Sequence, residues 1–160
     1  MTKDTRGFSL IELLIVIAII LIIAAIAIPN LLRSRMAANQ ASAVASLRTL
    51  NTSEATYSST YNTGYTAALS TLGPPTSGNP TASAAGLIDS VLAGGTKSGY
   101  SFVYAAGTAD STGRINSYTL NPNPITVGTA GQNYYYTDQS AVIRQNTTGS
   151  AGSGDSPIGG

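Results

Sequence analysis

Apolar residues along this chain are first continuous, then spaced by three or four, then by two. From Phe8 to Ile28 there are 21 residues, and only Ser9 and Glu12 are polar. About 20 apolar residues span the ~30 Å hydrocarbon core of a bilayer, so the run predicts a membrane-length helix. Pro29 follows at once. Its ring removes the N–H that would bond the carbonyl of Ala25 and clashes with that carbonyl, which predicts a kink, or else the end of the helix. Beyond it, Met36, Val44, Leu47, Leu50, Tyr57 and Tyr61 recur largely at three- or four-residue spacing, with Ala37, Ala41 and Ala43 nearby. That stripe predicts an amphipathic helix to Tyr61, with Arg33, Arg48, Glu54 and many hydroxyls between the apolar positions. A continuous helix from Phe8 to Tyr61 would be about 80 Å long at ~1.5 Å per residue.

Residues 62–86 carry Gly64, Gly73-Pro74-Pro75, Gly78-Asn79-Pro80 and Gly86 and predict a surface connection. Leu87, Ile88, Val91 and Leu92 predict one short helix ending at Gly94-Gly95. The period then becomes two. Tyr100, Phe102 and Tyr104 mark one strand, Tyr118 and Leu120 a second ahead of Pro122, and Tyr134 and Tyr136 a third. A turn near Asp138–Ala141 leads to a last strand over 141–144. The Gly/Ser-rich residues 147–160 read as a flexible tail. The predicted fold class is α+β: a long N-terminal α-helix, membrane-spanning over 8–28 and amphipathic over 29–61. It packs on a small antiparallel sheet within a head of residues 62–146.

Composition narrows the chemistry. Only 9% of residues are charged and the net charge is +1, which gives no basic stripe for nucleic acid. Ser and Thr, 39 of 160, supply most of the polarity. There is no Cys and no His. Disulfides and thiolate sites are therefore excluded, and the commonest general base and metal ligand is missing. The remaining bases, Lys97 and the carboxylates Glu12, Glu54, Asp89, Asp110, Asp138 and Asp155, are scattered and read as solvated or turn-forming groups. No phosphate-binding Gly-rich loop and no Asp-x-Asp-x-Asp calcium spacing occurs. Tyr134-Tyr135-Tyr136 lacks the basic neighbours of a nucleotide-stacking platform and reads as a strand with alternate rings buried. Asn51-Thr52-Ser53 and Asn146-Thr147-Thr148 match the glycosylation triplet, the first in mid-helix. No enzyme activity, cofactor or metal site is expected.

The start of the chain is the specific part. Met1–Gly7 is a polar leader with Lys3, Asp4 and Arg6, and Phe8 follows the glycine. Glu12 is a lone acid in the apolar run, a placement that costs roughly 2.5–3.5 kcal/mol at a helix centre. A plain signal anchor leaves Glu12 without a purpose. A cleavable secretory signal would use Ala25-Ile26-Ala27 and release a soluble binding module beginning at Ile28, but its apolar region would exceed the usual 7–15 residues. Arg33 and Arg35 beyond the run offset Lys3 and Arg6 before it, so charge alone does not orient the span.

The run Arg6-Gly7-Phe8-Ser9-Leu10-Ile11-Glu12-Leu13-Leu14-Ile15-Val16-Ile17 resembles the processing site of type IV pilins and pseudopilins. Lys97–Phe102 and Tyr135–Asp138 resemble segments of the family's head less specifically. The resemblance implies that a prepilin peptidase/N-methyltransferase cuts between Gly7 and Phe8 and methylates the new N-terminus. It implies a leader in the cytoplasm, a single-pass bacterial inner-membrane subunit with its head outside, and later a cell-surface filament. Partners would be identical subunits in a helical filament, the inner-membrane assembly platform, and the lipid bilayer before assembly. Glu12 of one copy would meet the Phe8 amine of the next, an attraction of about 4 kcal/mol at ~4 Å and an effective dielectric near 20, before desolvation. Pro29 would mark the family's helix bend. A type II secretion pseudopilin shares all these N-terminal features and is the alternative.

Overall fold

The computed structural model describes residues 7–159, so the leader other than Gly7 lies outside the described residues. The chain divides into two compact units, one ending at Arg35 and one beginning at Met36. Helix α1 covers Leu10–Tyr61 and is assigned as helix straight through Pro29. Pro29 therefore does not end it. In the first unit the apolar side chains of α1 have no cover: from Leu10 to Ile28 every large one is exposed. A helix that is apolar all round matches burial in lipid or among partners.

In the second unit α1 is amphipathic in the expected phase. Ala43, Leu47, Leu50 and Tyr57 are buried, with Val44 and Tyr61 packed at the margin. They meet five antiparallel strands in consecutive order: β1 (Thr96–Lys97), β2 (Tyr100–Ala106), β3 (Tyr118–Pro124), β4 (Tyr134–Asp138) and β5 (Arg144–Asn146). Tyr100, Phe102, Tyr118, Leu120 and Tyr135 supply the sheet's side of the core. Helix α2 (Ser90–Ala93) is shorter than its apolar pattern suggested. The Asp89 side chain caps it, accepting from the Leu92 amide at 2.8 Å. Strands β1 and β2 join through Ser98-Gly99, both at positive φ (50° and 75°), which two-residue hairpins require. A Cβ on Gly99 would sit 2.9 Å from that of Ala130, so this turn also needs glycine for space.

β3 extends through Pro122 and Pro124, beyond the end expected from the sequence. The flanking bonds Gly107 N to Ser117 O and Ile125 N to Gly99 O show that odd-numbered residues of β3 bond β2. Both prolines thus point their nitrogens toward β4, which pairs only with Thr119 and Leu120. No ladder bond is lost.

Other expectations are corrected. The connection over 62–86 is partly internal: Thr66, Leu69, Leu72 and Ala85 are buried, and Leu69–Leu72 forms a 3-10 turn. Glu54 is not solvated but fully buried, accepting from the Thr66 amide (3.0 Å) and hydroxyl. The last strand begins at Arg144 rather than 141, because the turn runs through Ala141, whose amide bonds Asp138 O and whose φ is 59°. In β4 the buried ring is Tyr135, the opposite phase to Tyr134 and Tyr136. Thr137 sets that phase by turning inward to Asn51.

The expected flexible tail is folded back on the sheet. Gln145 N bonds Ser156 O (3.0 Å), Ile158 N bonds Ile143 O (2.9 Å), and Asp155 accepts from Asn146 and from the Gly152 amide. Ala151 is buried, its carbonyl held by Asn121. Open backbone groups on β5 give this segment something to pair with, despite its composition.

Asn51 ties helix to sheet. Its amide donates to Thr137 Oγ1 (3.0 Å) and accepts from the Tyr118 hydroxyl (3.0 Å), all buried. Asn51→Leu strands both partners and is expected to destabilise the head by about 1–3 kcal/mol, read by urea unfolding of the detergent-solubilised chain. Burial pushes the hydroxyls of Tyr100, Tyr104, Tyr118 and Tyr135 above their usual range. Their folded values lie above the unfolded value near 10, so the stability they confer is complete below about pH 10 and is lost as pH rises beyond it. Tyrosinate absorbance should therefore appear in two phases, exposed rings first and the buried set together with loss of circular dichroism. A single phase near pH 10 would contradict the burial.

Candidate processing and assembly site

Gly7 and Phe8 precede the first helical residue, and both are exposed. Phe8 is 81% accessible, and among the described residues nothing lies within 4 Å of the position a Cβ would take on Gly7. The peptide bond between them is thus outside helical hydrogen bonding and open to attack, the condition for proteolysis.

Glu12 does more than its isolation in the apolar run suggested. Its Oε2 accepts the Ser9 backbone N–H at 2.9 Å, while Leu13 N reaches Ser9 O at 3.3 Å. Ser9 is the residue before α1 and Glu12 is its third residue, which is one half of a capping box. A carboxylate here also favours the positive end of the helix dipole. This role was legible in the Ser9-x-x-Glu12 spacing and was missed beside the more conspicuous question of cost. The other carboxylate oxygen makes no hydrogen bond among the described residues, so Glu12 keeps capacity for a second donor.

From Glu12 the exposed apolar surface continues without another charge until Arg33. Exposed apolar patches above a few hundred Å² mark interaction or membrane surfaces, and this one encircles the helix. Pro29 sits near its far end, inside α1.

The remaining acids are not assembled into a site. Asp89 caps α2 and pairs with Lys97 at 3.0 Å. Asp110 accepts from the Thr112 hydroxyl and amide, Asn116 and the Arg114 amide, and these bonds hold its carboxyl well below the usual range. Asp138 and Asp155 close turns in the same manner. No group of three or more metal-ligating side chains occurs among the described residues. Both glycosylation triplets are structurally engaged: Asn51 is buried, and Asn146 bonds Asp155 and Thr148.

The family-model match falls on the same segment. Residues 2–28 match the family model described as the prokaryotic N-terminal methylation motif. Over 37 residues, 23% of this chain, it is 65% identical to the type IV wide pilus major component PilA4 of Thermus thermophilus, covering 28% of that protein. Over 52 residues, 32% of this chain, it is 48% identical to the type IV major pilin protein PilA of Myxococcus xanthus, covering 24% of it. The chain thus spans about a quarter of the length of the curated relatives it matches. No solved structure matches. The chain thus carries the N-terminal methylation motif and is similar to type IV pilins over part of its length, and its long apolar helix and small antiparallel sheet form an α+β, pilin-like fold.

Proposed function

We propose that the chain is the structural subunit of a type IV pilus-like filament. The observation that carries this reading is the uncovered apolar surface of α1 from Leu10 to Ile28, with Glu12 in its first turn and an accessible Gly7–Phe8 bond just ahead. Residues 1–7 form a leader that is removed, with methylation of Phe8. Residues 8–28 hold the subunit in the inner membrane and later fill the filament core. Residues 29–61 carry the head, whose surface faces outward from the filament. Lipid and neighbouring apolar helices are about equally greasy, so exchange of one for the other is driven by close packing and polar pairing. Ala18, Ala24, Ala25 and Ala27 provide the close approach. The partners are identical subunits, a prepilin peptidase/N-methyltransferase and a membrane assembly platform. Both relatives are named as major pilus components, which supports a pilus over a secretion pseudopilus.

Mass spectrometry of the product from producing cells should find a chain starting at N-methylated Phe8. A start at Ile28 would instead mean a secreted soluble module and end the reading. In Glu12→Ala the cleavage site is untouched while the acceptor for a neighbour's amine is gone. We expect normal leader removal and at least a tenfold loss of filament by electron microscopy, for an ion-pair loss of more than about 1.4 kcal/mol per contact. Full filament yield would remove Glu12 from assembly.

A further inference from the structure

Glu12 and Arg33 are the charges that bracket the uncovered part of α1, 21 positions apart. At ~1.5 Å per residue that is about 31 Å, close to the hydrocarbon thickness of a bilayer. Leu31 and Leu32 extend the exposed apolar surface past Asn30, and Arg33 follows directly. Arg33 and Arg35 are exposed, and neither makes a side-chain hydrogen bond or ion pair among the described residues. The neighbouring sequence offers no partner: no Asp or Glu occurs between Glu12 and Glu54. Glu54 itself is buried on Thr66. Two positions apart on a helix is about 200°, so the two guanidinium groups leave opposite sides of α1. A protein neighbour lying along one side reaches one of them. A headgroup layer surrounds the helix and reaches both.

We infer that Arg33 and Arg35 form a two-sided basic collar that binds the phosphates of acidic phospholipid headgroups at the outer face of the membrane. The collar fixes the depth of the unassembled chain and rests on the membrane-anchored reading above. Guanidinium forks match phosphate oxygens in paired hydrogen bonds, and the aliphatic stems lie along the apolar surface that ends at Leu32. Sinking toward the cytoplasm would drag both charges into hydrocarbon, which the collar opposes. Outward movement only exchanges headgroups for water, so the same collar leaves the direction of extraction open.

The test uses the full chain in phosphatidylcholine vesicles, with spin-labelled phosphatidylglycerol or spin-labelled phosphatidylcholine as the probe. Electron paramagnetic resonance reads the fraction of probe immobilised against the helix. The expected result is a preference for phosphatidylglycerol of about fivefold for each arginine engaged. R33Q/R35Q should abolish it, R33K/R35K should keep most of it, and R48Q, fifteen residues beyond Arg33, should leave it unchanged. An undiminished preference in R33Q/R35Q, or none in the native chain, overturns the collar. If R33Q/R35Q keeps the lipid preference but loses filaments, the arginines serve a neighbouring copy and the collar is again overturned. Loss of the preference on adding inorganic phosphate at the lipid's own concentration would reassign the site to a free anion. Alkaline carbonate extraction separates the two layers of inference: a chain that never inserts defeats the membrane reading as well, whereas an inserted chain without preference defeats the collar alone.

Discussion

Uncompensated apolar surface is the constraint on which the rest depends. From Leu10 to Ile28 the helix shows its greasy side chains in every direction, and the described residues offer nothing to cover them. Water cannot be their permanent surroundings. On the function proposed above, every other N-terminal feature makes sense as a way of supplying an environment: a bilayer first and like helices afterwards. Glu12 then stops being an anomaly. Bound to the Ser9 amide, it is held in an ordered position in the first turn while one oxygen stays open. An acid fixed in place by its own backbone costs less conformational freedom when a second donor arrives.

The head meets a different demand. With no cysteine to staple it, it uses polar groups turned inward from α1, each aimed at a separate segment. Asn39 reaches Ala130, Asn51 reaches β3 and β4, Ser53 reaches Leu87, Glu54 reaches Thr66, and the Tyr57 hydroxyl donates to the Ala82 carbonyl. Buried hydrogen bonds contribute little net energy but punish any other arrangement, so they select one packing of a Ser/Thr-rich chain over its many near equivalents.

How far the sequence could be read follows from this division. Continuous and periodic apolar patterns report burial against a large uniform partner. The two halves of α1 and the phases of β2 and β3 were accordingly legible from Phe8–Ile28, Leu47/Leu50 and Tyr100/Phe102. Patterns that depend on one distant polar partner were not. Glu54 looked like a solvated acid because Thr66 carries no sign of being its donor. Tyr135 looked outward because only Asn51, far back in the chain, forces Thr137 inward. The last segment looked loose because glycine and serine mark freedom in isolation, whereas an unfilled strand edge rewards order. At the candidate processing site, Gly7, Phe8 and Glu12 were readable as a motif, while the capping contact of Ser9 required noticing a four-residue spacing that served a second purpose.

That folded-back segment has a further consequence. By occupying the open side of β5, it removes one flank on which a foreign strand would otherwise grow; on the opposite flank the two-residue β1 covers only Tyr100 and Ser101 of β2. Copies of this chain therefore have less opportunity to zip together sheet to sheet through β5. In the proposed filament, growth would then run through α1, and a fibre made this way would stay distinct from an amyloid one.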